Sequence, residues 1–162
     1  MNHNRILVPS FVCLAAVLLI AADGSVKNHV PRAATRDAVM TYVKDAAAVV
    51  QKSGPSCDTF AKPEWRSSDF YVFVSGPDGK LICHANSAMV GKPAADIVNK
   101  SGDRVGEKIL KAGEGDHQGW VEYQWARTDE GPEERKSSYV MGVNGPDGKH
   151  YVVGAGAFRM SK

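Results

Sequence analysis

Two stretches of the chain share five residues: "VSGPDGKLICH" from Val74 to His84 and "VNGPDGKHYVV" from Val143 to Val153. The reading of GPDGK decides the fold. Proline pre-sets φ for the second position of a tight turn, aspartate tolerates the third, and glycine supplies the positive φ that closes it. Strand-forming residues stand on both sides of each copy. Phe70-Tyr71-Val72-Phe73-Val74 precedes the first, and Leu81-Ile82-Cys83 follows it. Ser138-Tyr139-Val140-Met141 leads into the second, and His150-Tyr151-Val152-Val153 leaves it. Strand-formers around a short glycine-containing loop predict a β-hairpin. A phosphate-binding loop would need its glycines to open a helix, with the lysine inside it. Here each Gly-Lys enters a strand, and the residues around the two copies do not repeat. GPDGK is therefore one turn used twice, neither a nucleotide cradle nor a sign of domain duplication.

Outward from the hairpins, the rest of the chain sorts into few elements. The 162 residues suit a single domain. Residues 1–24 are set apart from it. Arg5 precedes a continuous apolar run, "FVCLAAVLLIAA" from Phe11 to Ala22, and small residues follow at Ala22-Asp23-Gly24. That layout predicts a secretory signal peptide, with an uncleaved membrane anchor as the alternative. Either way the product is exported, periplasmic or secreted if the leader is cleaved and membrane-anchored if it is not, and residues 25–162 form one domain. Removing the leader takes one Arg and one Asp, so the net charge stays at +2. So small a charge gives no footprint for nucleic acid and no polybasic membrane patch. Two cysteines remain, Cys57 and Cys83. In an oxidising compartment an even count invites a disulfide, but spacing alone leaves bridged and unbridged forms equally open.

Apolar positions Val39, Tyr42, Val43, Ala46, Ala47, Val49 and Val50 recur at intervals of three and four, predicting an amphipathic helix over 32–52 that Gly54-Pro55 ends. Residues 56–69 read as loop. The first hairpin covers 70–75 and 80–84. A long crossover follows, with a helical turn from Pro93 to Val98 and a helix over 104–111. Strands over 120–127, 136–143 and 149–158 complete the chain. Helices segregated against antiparallel strands predict an α+β domain.

Strand alternation then sorts the side chains by face. Tyr71 and Phe73 share a side, as do Tyr123 and Trp125, and Tyr139 is placed with them. Such a face is either an ordinary aromatic core or the wall of a small-molecule pocket. His84 closes the second strand, and Lys136 enters the fourth. A lysine near tyrosine hydroxyls can hold a carboxylate through charge-assisted hydrogen bonds.

Taken together, "FYVFVSGPDGKLICHANSAMVGK", "GWVEYQWAR", the following "ERKSSYV" and "YVVGAGAF" resemble the single Cache domain, a PAS-like extracellular sensor module of bacterial chemoreceptors and histidine kinases. The resemblance runs from about Arg36 to Phe158. It implies a long N-terminal helix packed on a five-stranded antiparallel sheet, with a helical crossover after the second strand. It also implies a small organic acid as ligand, between sheet and crossover. Tyr71, Phe73, Tyr123 and Trp125 would form the aromatic wall. His84, Lys136 and Tyr139 would supply polar groups. Trp120 is a further ligand candidate, although its strand parity opposes that of Tyr123. Lys136 and Tyr139 also differ in parity, so both reach one ligand only through a bulge or round an edge. Family receptors continue into a second membrane span and signalling modules, whereas this chain stops at Lys162, which suits the stand-alone exported form.

The expected function is non-catalytic sensing of a C2–C4 carboxylate in chemotaxis-type signal transduction, with a membrane receptor or kinase as partner. The alternative is an exported protein–protein interaction module without a small ligand. Catalysis fits poorly. Cys83 and His84 are strand neighbours on opposite faces, and Asp69, Asp78, Asp116 and Asp147 sit at turns and loop edges. No cofactor or metal is expected, because no two-His or four-Cys ligand spacing exists.

Overall fold

The computed structural model describes residues 26–160. The expected signal peptide over 1–24 lies outside them. Among the described residues no helix is long and apolar enough to cross a membrane.

The first helix, α1, spans Arg36–Ser53. It starts four residues later than the periodicity suggests because Thr35 is extended and its side chain accepts the Ala38 N–H, which satisfies a helix-end donor. At the other end Gly54 adopts a positive φ and donates its N–H to Val50. Val39, Tyr42, Val43, Ala46, Ala47 and Val50 form the buried face. Each such valine contributes about 1.5–3 kcal/mol relative to exposure.

The next interval, read from sequence as loop, contains a short helix, α2 (Cys57–Phe60), capped by the Ser56 side chain. One turn of helix is too brief to leave a periodic signature. Cys57 on α2 is disulfide-bonded to Cys83, with Cα atoms 5.2 Å apart. The open question of the cysteines is thus resolved in favour of the bridge.

Strands β1 (Val72–Ser75) and β2 (Leu81–Cys83) form the first hairpin. The crossover then makes two 3₁₀ turns, Ser87–Met89 and Ala94–Asp96, and α3 (Val105–Ala112). Strands β3 (Gln118–Ala126), β4 (Glu133–Asn144) and β5 (His150–Phe158) follow. Both GPDGK copies close in the same way. Gly79 and Gly148 take φ of +73° and +72°, and each donates to the glycine three residues earlier. Asp78 and Asp147 accept the N–H of Lys80 and Lys149, each at 3.1 Å.

The sheet is antiparallel with order β2-β1-β5-β4-β3. Helix α1 covers one face, where Val72, Val74, Tyr139, Val143, Val153 and Ala155 join its apolar side. The crossover covers the other, where Phe73, Leu81, Val105, Val121, Tyr123, Val140 and Val152 pack together. This is the α+β architecture expected from sequence, a long helix on one face of a five-stranded antiparallel sheet and a helical crossover on the other. The "GAG" of β5 has a packing reason. A Cβ on Gly154 would stand 2.3 Å from the Phe73 ring, and one on Gly156 would stand 2.2 Å from the Ser138 hydroxyl. Both glycines let β5 pass beneath side chains that belong to the crossover face.

Candidate functional site

The crossover face carries an open cleft of about 440 Å³ and a narrow inner niche of about 40 Å³. Tyr71, His84, Met89 and Trp125 line both, so the two spaces share a wall. Register explains how the polar groups arrive. Lys136 pairs with Tyr123 on one side and Phe158 on the other, and directly paired residues share a face. Lys136, Tyr123 and Phe158 therefore project together, toward Tyr71.

Lys136 is only 1% exposed. Its Nζ donates to Tyr71 Oη at 2.7 Å and lies 4.3 Å from the centre of that ring and 5.0 Å from that of Phe158. Among the described residues it has no carboxylate partner: its interactions are with a phenol and two aromatic rings. Desolvation holds its pKa below the ordinary lysine value; nearby Tyr123 opposes that shift and Arg127 adds to it. Burial likewise pushes the Tyr71 phenol up to about 12 and raises that of Tyr123, whose Oη lies 2.8 Å from Ser138 Oγ.

His84 meets Tyr71 edge-on, with ring centres 4.9 Å apart. Its Nδ1 lies 3.0 Å from the Asn86 backbone nitrogen and 3.3 Å from the Asn86 carbonyl oxygen, which ties the ring to the loop after β2. Burial first, and then the Lys136 charge, lower its pKa to about 4. The ring is neutral at pH 7. Arg127 stacks 4.2 Å over Phe158 and is ion-paired with Asp69 and Glu134, so Phe158 lies between two cations.

Of the eight residues singled out from sequence, the structure brings six to this face. Tyr71, His84 and Trp125 line the cleft and the niche, Phe73 and Tyr123 line the niche, and Lys136 lies behind Tyr71 and Phe158. Trp120 and Tyr139 go elsewhere. They pair across β3 and β4, and with their rings 5.2 Å apart they pack into the α1-side core. Tyr139 donates to Gln118 at 2.7 Å, and Arg36 lies 4.7 Å over Trp120. The parity conflict between Lys136 and Tyr139 is resolved without a bulge: Lys136 faces the crossover and Tyr139 faces the helix.

Other groups at the site were not singled out. Arg127 continues the alternation of Tyr123 and Trp125, and Ser75 continues that of Tyr71 and Phe73, so parity alone points to both. Ser75 Oγ is buried, lines the niche and has no hydrogen-bond partner among the described residues. Arg66 and Asn86 reach the cleft from loops, where no periodicity locates them. Among the described residues no group of three or more His, Cys, Asp or Glu is arranged to hold a metal ion.

A Cache domain family model, dCache_2, matches residues 38–159. The chain belongs to the Cache domain family. Among solved structures, this Cache domain is similar to one described as the periplasmic sensor domain of a chemotaxis protein. The TM-score is 0.51 at 20% identity, covering 72% of this chain and 85% of that one. A second is described as a Cache chemosensory domain in work on carboxylic acid recognition (TM-score 0.48, 19% identity, 76% and 72% covered). A third is a methyl-accepting chemotaxis protein from Vibrio parahaemolyticus RIMD 2210633 (TM-score 0.45, 19% identity, 74% and 68% covered). At these identities the likeness is one of fold. No curated protein matches the chain. Cache domains are extracellular or periplasmic ligand-binding sensor modules, and that is the class of function the family gives this chain.

Proposed function

We propose that this Cache domain is an exported, non-catalytic sensor of a small organic acid of two to four carbons, which it reports to a membrane receptor or kinase. The observation that carries the proposal is the Lys136 ammonium, buried beside the cleft with no carboxylate among the described residues to neutralise it. An uncompensated buried cation costs several kcal/mol, and an entering anion removes much of that cost. Tyr71 and His84 add neutral donors next to it, and Trp125 with Phe158 supplies apolar wall. The Cys57–Cys83 bridge suits an oxidising compartment, in keeping with a leader cleaved near residue 24.

Calorimetry and thermal melting with acetate, propionate, butyrate, lactate and pyruvate test the reading. A ligand at a hundred times its dissociation constant adds about 2.7 kcal/mol and raises Tm by roughly 5–10 °C. Lys136→Ala and Tyr71→Phe should lose that response while remaining folded. Silence of the folded wild type across all five acids defeats the proposal and leaves an interaction module in its place.

A further inference from the structure

Lys136 has a second chemical capacity besides charge. We propose that it is a nucleophile toward ligand carbonyls, so that 2-oxo acids are held in this cleft through a reversible imine to Nζ. The inference rests on the carboxylate reading above and narrows its ligand class.

The geometry supplies what imine formation requires. The amine is removed from water and lacks a counter-ion that would lock it as ammonium. Burial therefore raises the share of neutral amine in equilibrium with the ammonium, and that share carries the free electron pair carbonyl chemistry needs. A proton-handling group is already in place, because Tyr71 Oη lies 2.7 Å from Nζ. His84 packs edge-on against the same ring. The two side chains that touch Nζ, Tyr71 and Phe158, both line the cleft. Lys136 itself lines neither space, so a carbonyl carbon reaches the amine when the Tyr71 or Phe158 ring that separates it from the cleft moves aside.

The step balances without an oxidant or reductant. The Nζ electron pair attacks the carbonyl carbon and a C–N bond forms. The carbonyl oxygen takes a proton as Nζ gives one up, with Tyr71 as carrier. The resulting hydroxyl takes a second proton, drawn from bulk water through the open cleft, and leaves as water, and the nitrogen pair forms the C=N bond of the iminium. The iminium charge is matched by the carboxylate of the same oxo acid.

The test uses the folded wild-type protein with pyruvate and cyanoborohydride, followed by peptide mapping. Lys136 should carry the reduced pyruvyl adduct at least about tenfold more than any exposed lysine. Excess propionate, which has no carbonyl to react, should suppress the adduct. Tyr71→Phe should slow adduct formation by about a hundredfold. Propionate binding by calorimetry with Lys136 unmodified overturns the imine while leaving the carboxylate reading intact. Absence of both binding and adduct overturns the two together. Label spread over exposed lysines with Lys136 untouched also overturns the imine.

Discussion

Replacing Lys136 with methionine separates stability from ligand binding at one position. Methionine keeps most of the length of the lysine stem and fits between the Tyr71 and Phe158 rings, but it carries no charge. Two effects oppose each other. Removing a desolvated ammonium without a counter-ion relieves a penalty of several kcal/mol. Removing the donor to Tyr71 gives up about 1 kcal/mol, softened because Tyr71 is only partly buried and can turn to water. The balance predicts that the ligand-free variant is more stable by about 1–3 kcal/mol, a rise in Tm of roughly 4–10 °C. The pH dependence has a definite sign. The folded-state pKa of Lys136 is depressed, so between that value and the ordinary 10.5 the unfolded chain binds more protons than the folded one. Wild-type stability therefore rises with pH across this window, and the advantage of the variant shrinks toward pH 10.5. Thermal melts from pH 6 to 10, with and without saturating propionate, read both effects. A variant less stable than wild type, by an amount independent of pH, would refute the description of Lys136 as a penalised buried cation.

Four further outcomes follow from the same structure. The depressed His84 pKa means that the unfolded chain takes up a proton below pH 6.5 while the folded one holds off until about 4. Acid melts should show a loss of up to about 3 kcal/mol across that interval, absent in His84→Asn. Reduction of Cys57–Cys83 opens a loop of sequence separation 26, and chain entropy then predicts a loss of about 3.5 kcal/mol, or roughly 10 °C in Tm, measured with and without reductant. Gly154→Ala drives a methyl group into the Phe73 ring and should cost about 1–3 kcal/mol by denaturant titration. Tyr139→Phe, on the helix face, should leave acid affinity within about twofold of wild type by calorimetry, apart from any general loss of stability.

The fold was legible because its signals are local. The repeated GPDGK placed two hairpins, and the spacing of Val39, Val43, Ala46 and Val50 placed α1. What escaped was either too short or too distant for periodicity. The single turn of α2 has no period, and the meeting of Cys57 with Cys83 depends on how α2 docks on β2. Alternation along residues 71–75 and along β3 puts Tyr71, Phe73, Tyr123 and Trp125 on one face, and there they pack together. The relation between strands was harder, since pairing register, not spacing, decides whether Tyr139 or Lys136 meets them. The parity conflict between those two was visible in the sequence, and the register of β4 against β3 and β5 resolved it.

Strand β5 is the last to be synthesised, yet it occupies the middle of the sheet, joining the β2-β1 hairpin to the β4-β3 hairpin. A chain still emerging from a ribosome or a translocation channel, and ending before His150, can form each hairpin but has nothing to join them. Helix α1 and the crossover can pack on each hairpin beforehand, but the sheet stays in two pieces, without backbone hydrogen bonds between them, until the final strand arrives. Chaperone contacts on the nascent chain should therefore persist until β5 has emerged, and a truncation before His150 would leave two unjoined halves instead of a slightly smaller domain.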